Sequence, residues 1–164
     1  MTALHGKDFI LAFRLLSEAE TKSGIKLAYQ IEHTISKSRS TDVTQTKDGP
    51  LVSSGGIERT IEITAISTKD ELNLMLEKSV DDGETLEIWE IDLSSKDNDE
   101  YDALYMRGKL TDWETPRNVE DYVEITTEAV IEGTPKPGKV TLTAEQEQEI
   151  AYAFRNLEPV TTTP

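Results

Sequence analysis

Two stretches of this chain, residues 84–93 and 101–113, carry apolar side chains on both of their alternating faces, and that restricts the available folds more than any other feature. In the first, Leu86 and Ile88 point one way while Trp89, Ile91 and Leu93 point the other. In the second, Leu104, Met106 and Leu110 oppose Tyr101, Tyr105 and Trp113. A strand in a small antiparallel sheet usually has one dry face and one wet face. A second apolar face needs cover, and in a short chain another subunit is a natural source of it. The pattern points toward an assembly protein more than an enzyme. The two runs are joined by a polar, acidic stretch, residues 94–100, and read as a β-hairpin. Aromatic residues facing one another across its strands would stabilise the pairing.

Composition narrows the class. With 164 residues the chain has enough length for one domain with a core. It is 36% hydrophobic and 30% charged, which fits a soluble globular protein. No apolar run approaches the roughly 20 residues of a membrane helix, and residues 1–8 lack the pattern of a signal peptide. Cysteine is absent, so disulfides, thiol catalysis and thiolate-held metals are excluded, which fits folding in a reducing cytoplasm. The 32 acidic residues against 17 basic ones give a net charge of −15. Such a surface repels phosphate backbones and argues against sequence-reading of nucleic acid. It serves solubility, and it also suits a surface past which DNA must move without sticking.

The remaining elements follow from periodicity. Residues 9–16 form a short strand or arm with two fairly apolar sides. Residues 26–36 alternate, with Leu27, Tyr29, Ile31, His33 and Ile35 on one face, as in a half-buried strand. Residues 38–56 are nearly all small or polar, with Leu51 and Val52 the strong apolar pair, and read as a long loop. Residues 57–66 alternate again, with Ile57, Ile61, Ile63 and Ala65 on one face. Thr68-Lys69-Asp70-Glu71 has the form of a capping box, Leu72, Met75, Leu76 and Val80 follow at helical spacing, and Gly83 suits a left-handed cap. Residues 119–131 form a strand with Val119, Val123, Ile125, Ala129 and Ile131 on one face. Residues 133–138, with two prolines, read as a loop, and residues 139–143 as a short strand. A second capping box at Thr143 opens a last helix, residues 145–157, with Ile150, Ala153, Phe154 and Leu157 as its stripe. Glutamates near its start suit the helix dipole.

Chemistry-bearing motifs are sparse. His5 sits in the N-terminal arm, and His33 lies on the apolar face of a strand with no evident partner, so a structural or surface role is the reading for both. There is no Gly-x-Ser-x-Gly nucleophile motif, and Gly138-Lys139 lacks the glycine spacing of a phosphate loop. Asp92, Asp97, Asp99, Glu100 and Asp102 lack the central glycine of a calcium loop and read as a solvated turn. Asp81, Asp82 and Glu84 read as helix-end and turn residues. No catalytic residue, cofactor or metal is expected. Trp89, Tyr101, Tyr105 and Trp113 are open to three roles: ordinary core, a subunit interface, or a sugar- or peptide-binding groove.

The strand Thr60-Ile61-Glu62-Ile63-Thr64-Ala65, the capped helix, the strand Leu86-Glu87-Ile88-Trp89-Glu90-Ile91-Asp92 and the strand Tyr101-Asp102-Ala103-Leu104-Tyr105-Met106-Arg107-Gly108 resemble, in this order, the major tail protein of long-tailed, non-contractile bacteriophages, in particular those of phages and prophages of Gram-positive bacteria. Val123-Glu124-Ile125-Thr126 and Gly138-Lys139-Val140-Thr141-Leu142 extend the resemblance over residues 27–142. It implies a mainly β (α+β) fold, an antiparallel β-sandwich or barrel of the tail tube type with one flanking helix; the C-terminal helix is a departure from that pattern. It also implies one domain over residues 1–164, with an N-terminal arm (1–8), a long loop (38–56) and a C-terminal tail (158–164). The implied function is structural: hexameric rings of this chain stack into the tube through which the genome passes. DNA slides through without specific binding. The implied partners are further copies of itself, the tape measure protein and the distal tail and tail terminator proteins, in a virion tail assembled in the bacterial cytoplasm. On that reading Thr41, Val43, Lys47, Leu51 and Val52 make contacts between rings, and Trp89, Ile91, Tyr101, Tyr105 and Trp113 are candidates for the subunit interface. The rival readings are a tube subunit of a type VI-like injection system, a carbohydrate-binding β-sandwich, and a hydrolase using paired acids.

Overall fold

The computed structural model describes residues 2–142. The expected last helix, residues 145–157, lies outside the described residues.

Seven strands form one sheet: β1 (Phe9–Leu15), β2 (Ile25–Lys26), β3 (Gln30–Thr46), β4 (Gly49–Ile66), β5 (Leu86–Asp97), β6 (Glu100–Leu110) and β7 (Glu124–Thr141), with one helix, α1 (Glu71–Asp82). The strand order is β2-β1-β5-β6-β7-β4-β3, and every pairing is antiparallel. The sheet curls until its two ends meet through side chains. The Gln30 amide donates to the carbonyls of Leu11 and Leu27, and its oxygen accepts from the Leu11 N–H, all at 2.9 Å. A few residues along, His33 Nε2 lies 2.6 Å from Glu90 Oε2. His33 thus has a structural partner that strand periodicity alone did not reveal.

Inside this roll sits the main core: Leu11 and Phe13 of β1, Ile61, Ile63 and Ala65 of β4, Leu86 and Ile88 of β5, Met106 and Leu110 of β6, and Ala129 and Ile131 of β7. Helix α1 adds Leu72 and Leu76. The alternation read from β4, β5 and β6 is the alternation observed, because period two fixes which residues share a face.

The helix begins two residues later than the capping box implies. Asp70, not Thr68, is the N-cap: its carboxylate accepts from the Asn73 N–H at 2.8 Å. Thr68 instead accepts from the Asn73 side-chain amide at 2.9 Å. The helix ends as expected at Gly83, whose φ of 66° is left-handed. Burial pushes the Asp70 carboxyl up, but hydrogen bonds from Asn73 and Thr68 outweigh it and hold the group below the usual carboxylate range. The cap therefore contributes fully above the unfolded-state pKa of about 3.9 and is lost as pH falls through the lower folded value. Asp70→Ala should cost about 1 kcal/mol at neutral pH. The difference from the parent should shrink toward pH 2, as a pH series of urea melts would read; an unchanged difference at acid pH would rule out this role for the cap.

Three loop and strand expectations are corrected. Residues 38–56 are not a loop: β3 and β4 continue as a two-stranded ribbon, with Thr41 opposite Ser54 and Val43 opposite Val52, and turn through Lys47-Asp48. Small and polar residues hid the strands because neither face of the ribbon is buried. Residues 133–138 are not a loop either, since β7 runs through them with Ala103 opposite Gly138. The two prolines fit because, among the described residues, β7 pairs with β4 only up to Val130, so its outer N–H groups need no partner beyond that point. The reading of residues 119–131 as one strand fails at its start: Val119 is in the β6–β7 connection, and β7 begins at Glu124.

The expected inward face of residues 26–36 is also broken. Tyr29 has φ 51°, and a register shift follows between Gln30 and Glu32. Leu27 is buried, but Tyr29, Ile31 and Ile35 are exposed. The extra residue reverses the alternation, and it is this reversal that turns Gln30 inward to clasp β1.

Candidate assembly surfaces

Two surfaces stand out, a ribbon at one end of the molecule and an apolar patch on the outside of the sheet.

The sheet forks near Val130. Beyond Thr60, toward the turn, β4 leaves β7 and pairs with β3 alone. Arg59 spans the fork, its Nη1 donating to the Gly133 carbonyl at 3.1 Å. Gly133 has φ 67° and sits where β7 gains residues relative to β6. The left-handed conformation, unfavourable for other residues, sets the bulge that lets β7 turn away with β6. The ribbon's tip is fixed by Thr46, whose hydroxyl donates to the Gly49 carbonyl at 2.6 Å.

The five residues expected in inter-ring contacts all lie on this ribbon. Val43 and Val52 are directly paired, Leu51 pairs with Thr44 and so points to the other side, Thr41 lies further down, and Lys47 occupies the turn. Val43, Leu51 and Val52 are 56%, 63% and 61% exposed. A bare two-stranded ribbon is marginal in water, and this one holds apolar side chains on both faces. It is built to be completed by a partner.

The outer face of β1, β5 and β6 carries a second apolar cluster, Ala12, Ile91, Tyr101 and Ala103, with Ile10, Trp89, Leu93 and Val140 packed on it. This is the two-faced pattern of β5 and β6 made real: Ile88 and Met106 face the main core, Ile91 and Tyr101 the outer one. Four of the five expected interface residues, Trp89, Ile91, Tyr101 and Tyr105, share this outer side. Trp113 does not. β6 ends at Leu110, so strand alternation no longer applies, and a bridge between Glu114 and Thr126 folds the chain back. Trp113 then packs against the main core, beside Leu76 and Leu110.

A charged network that sequence reasoning missed borders the outer cluster. Glu87 is only 4% exposed. Its carboxylate accepts from Arg14 Nε at 2.5 Å and from the Tyr105 hydroxyl at 2.6 Å. Arg107 Nε donates in turn to the Tyr105 oxygen at 2.9 Å. Burial raises the Tyr105 phenol pKa, and the bond to Glu87 raises it further, against the opposing effect of Arg107. The signal was present: Glu87 lies between Leu86 and Ile88 in a strand with two apolar faces, so its carboxylate had to be buried and therefore paired.

The same network occupies Trp89. The Arg14 guanidinium lies 5.1 Å from the Trp89 ring centroid, the Tyr105 ring is tilted against it at 5.6 Å, and Gly24 packs on its edge. The indole is thus engaged within the chain and is not a bare platform for a sugar. Among the described residues, no three His, Cys, Asp or Glu side chains converge to hold a metal ion.

The matching family model is that of the phage tail tube protein, over residues 3–136. The tail tube protein gp17.1* of Bacillus phage SPP1 is 25% identical over 146 residues, which cover 88% of this chain and 55% of that protein. The chain thus spans about half the length of this relative. Among solved structures, the SPP1 tail tube superposes with a TM-score of 0.74 at 21% identity, covering 99% of this chain and 95% of that one. The tail of an empty gene transfer agent particle, solved by helical refinement with C6 symmetry, gives a TM-score of 0.64 at 13% identity over 82% of this chain and 98% of that one. The baseplate of the anti-feeding prophage gives 0.56 at 8% identity over 86% of this chain and 97% of its counterpart. These likenesses establish the rolled antiparallel sheet with one helix as a tail tube fold. The family model spans well over half of the sequence, and the chain belongs to the phage tail tube protein family.

Proposed function

We propose that this protein forms hexameric rings that stack into the tail tube of a long-tailed phage or prophage, and that the tube conducts the genome into the host. The unsupported ribbon of β3 and β4 carries this reading. Its exposed Val43, Leu51 and Val52 have no counterpart to pack on within the described residues of the chain, and a stacked copy supplies one. Family membership and the six-fold symmetry of the gene transfer agent tail support the ring. The outer cluster around Ile91 and Tyr101 is the proposed contact within a ring.

The chain's role is mechanical, and no residue is proposed as catalytic. The net charge of −15 suits a bore past which DNA phosphates slide. That charge favours a nucleic-acid conduit over the protein-exporting tube of an injection system. The remaining proposed partners are the tape measure protein inside the tube and the distal tail and tail terminator proteins at its ends. Assembly is proposed to occur in the host cytoplasm.

Negative-stain microscopy of the purified protein over a concentration series, with light scattering for mass, tests the reading. Rings and hollow tubes are expected as concentration rises. Monomers at every concentration would sink spontaneous self-assembly.

A further inference from the structure

Three exposed side chains on the described part of the molecule have no role in what precedes: Tyr29, Val119 and Tyr122, which are 70%, 99% and 83% exposed. All three belong to one end. The Ile66 N–H donates to the Tyr29 carbonyl at 3.1 Å, and the Ser67 N–H donates to the Val123 carbonyl at 2.7 Å. Ile66 is the last residue of β4, while Gly49 at the ribbon tip is the first. At about 3.3 Å per residue the two are separated by a strand contour of roughly 55 Å. Tyr29 and the 111–123 connection therefore form the pole opposite the ribbon tip.

We propose that this pole is the seat that receives the ribbon of the next copy, an inference that rests on the stacking role given to the ribbon above. Charge agrees with it. Residues 36–56 hold Lys37, Arg39 and Lys47 against Asp42 and Asp48, three minus two, or +1. Residues 111–123 hold Arg117 against Asp112, Glu114, Glu120 and Asp121, one minus four, or −3. In a chain of net charge −15, the ribbon is locally basic and the opposite pole is acidic. Opposite charge around apolar centres sets orientation and disfavours ribbon-to-ribbon or pole-to-pole contacts.

Backbone conformation agrees as well. Tyr29 adopts φ 51°, an uncommon region for a bulky non-glycine residue. The conformation carries a strain cost, and it presents a large aromatic ring to solvent at the pole. Strain of this kind concentrates at binding sites. Symmetry completes the case. A contact between two different patches at opposite ends is heterologous, and repeated without closure it grows into a filament. A patch that bound its own copy would stop at a dimer.

The chain has no cysteine, so introduced cysteines report unambiguously. V43C and L51C on the ribbon would be mixed pairwise with Y29C, V119C and Y122C at the pole, then oxidised mildly under assembling conditions. K109C, exposed on β6, serves as the control. A disulfide requires Cα atoms within about 7 Å. At least one ribbon–pole pair should link about tenfold more than any ribbon–ribbon, pole–pole or control pair, corresponding to about 1.4 kcal/mol of preference. In parallel, the Y29S/Y122S double variant should assemble only at roughly tenfold higher concentration, the loss expected for aromatic anchors. Ribbon cysteines that link only to one another or to K109C would overturn the proposal, as would normal assembly of Y29S/Y122S. The stacking role of the ribbon fails by a different result, normal assembly after removal of residues 41–54.

Discussion

Removing residues 41–54 should leave a folded, soluble protein that forms rings but no long tubes. The segment touches none of the main core, which ends on β4 at Ile61. It also leaves the β4–β7 ladder, from Thr60 to Ile66, intact. The cut ends are adjacent: a Cβ on Gly55 would fall 2.1 Å from Ser40 Oγ, so the two strands already touch where the chain would be rejoined. Gly55 and Gly56 supply a turn without steric cost. A bare two-stranded ribbon adds little to global stability, so the melting temperature should move by no more than about 3 °C, equivalent to about 1 kcal/mol in a chain of this size. Loss of Val43, Leu51 and Val52 removes the exposed apolar groups of the stacking contact, and tube length by microscopy should collapse to single rings or short stacks. Tubes of normal length from the deletion variant would show that the ribbon does not stack rings.

What the sequence made legible was set by burial. Strands with a dry face, β4, β5 and β6, announced themselves because period-two alternation reflects one-sided packing. The two-faced pattern of β5 and β6 was read correctly as a demand for cover on both sides. The helix was legible through Leu72 and Leu76, although its start was misplaced because Thr68 and Asp70 are both good caps and spacing does not rank them. The ribbon was not legible as strand. Its residues meet solvent on both faces, so selection for alternation is absent, and serine, threonine and glycine read as loop. The bulge beside Tyr29 was invisible for another reason: one extra residue reverses the facing of everything after it without changing composition. The pairings that close the roll, Gln30 with Leu11 and His33 with Glu90, join residues far apart in sequence, and no local signal encodes them.

The second large effect is expected at the buried carboxylate. Arg14→Met should destabilise the protein by about 3 kcal/mol, because it leaves Glu87 charged and buried without its cation. The value sits at the low end for a broken buried pair, since the Arg14 side chain is 21% exposed and that of Glu87 only 6%. In a chain of this size it corresponds to a fall in melting temperature of about 6–12 °C. Glu87→Gln should cost less, about 1 kcal/mol. The amide oxygen still accepts from Tyr105, and Arg14 keeps its bond to the Lys22 carbonyl at 3.0 Å and its place over Trp89. The asymmetry is the test: the charge left in the drier position governs the loss. The double variant should recover most of the stability lost in Arg14→Met, and a cycle over the four proteins isolates the pair. Equal losses in the two single variants would show that packing of the Arg14 stem, not the stranded charge, sets the cost. Tyr105 adds a signature at the alkaline end. Its raised phenol pKa contributes stability that is complete below the unfolded value of about 10 and is lost as pH rises through the folded value. Tyr105→Phe should remove that contribution and flatten the alkaline limb. The network matters beyond stability because it fixes Trp89 and Tyr105 on the outer face. Arg14→Met releases the indole from its cation, so its ring assembly should weaken even at temperatures where the subunit remains folded.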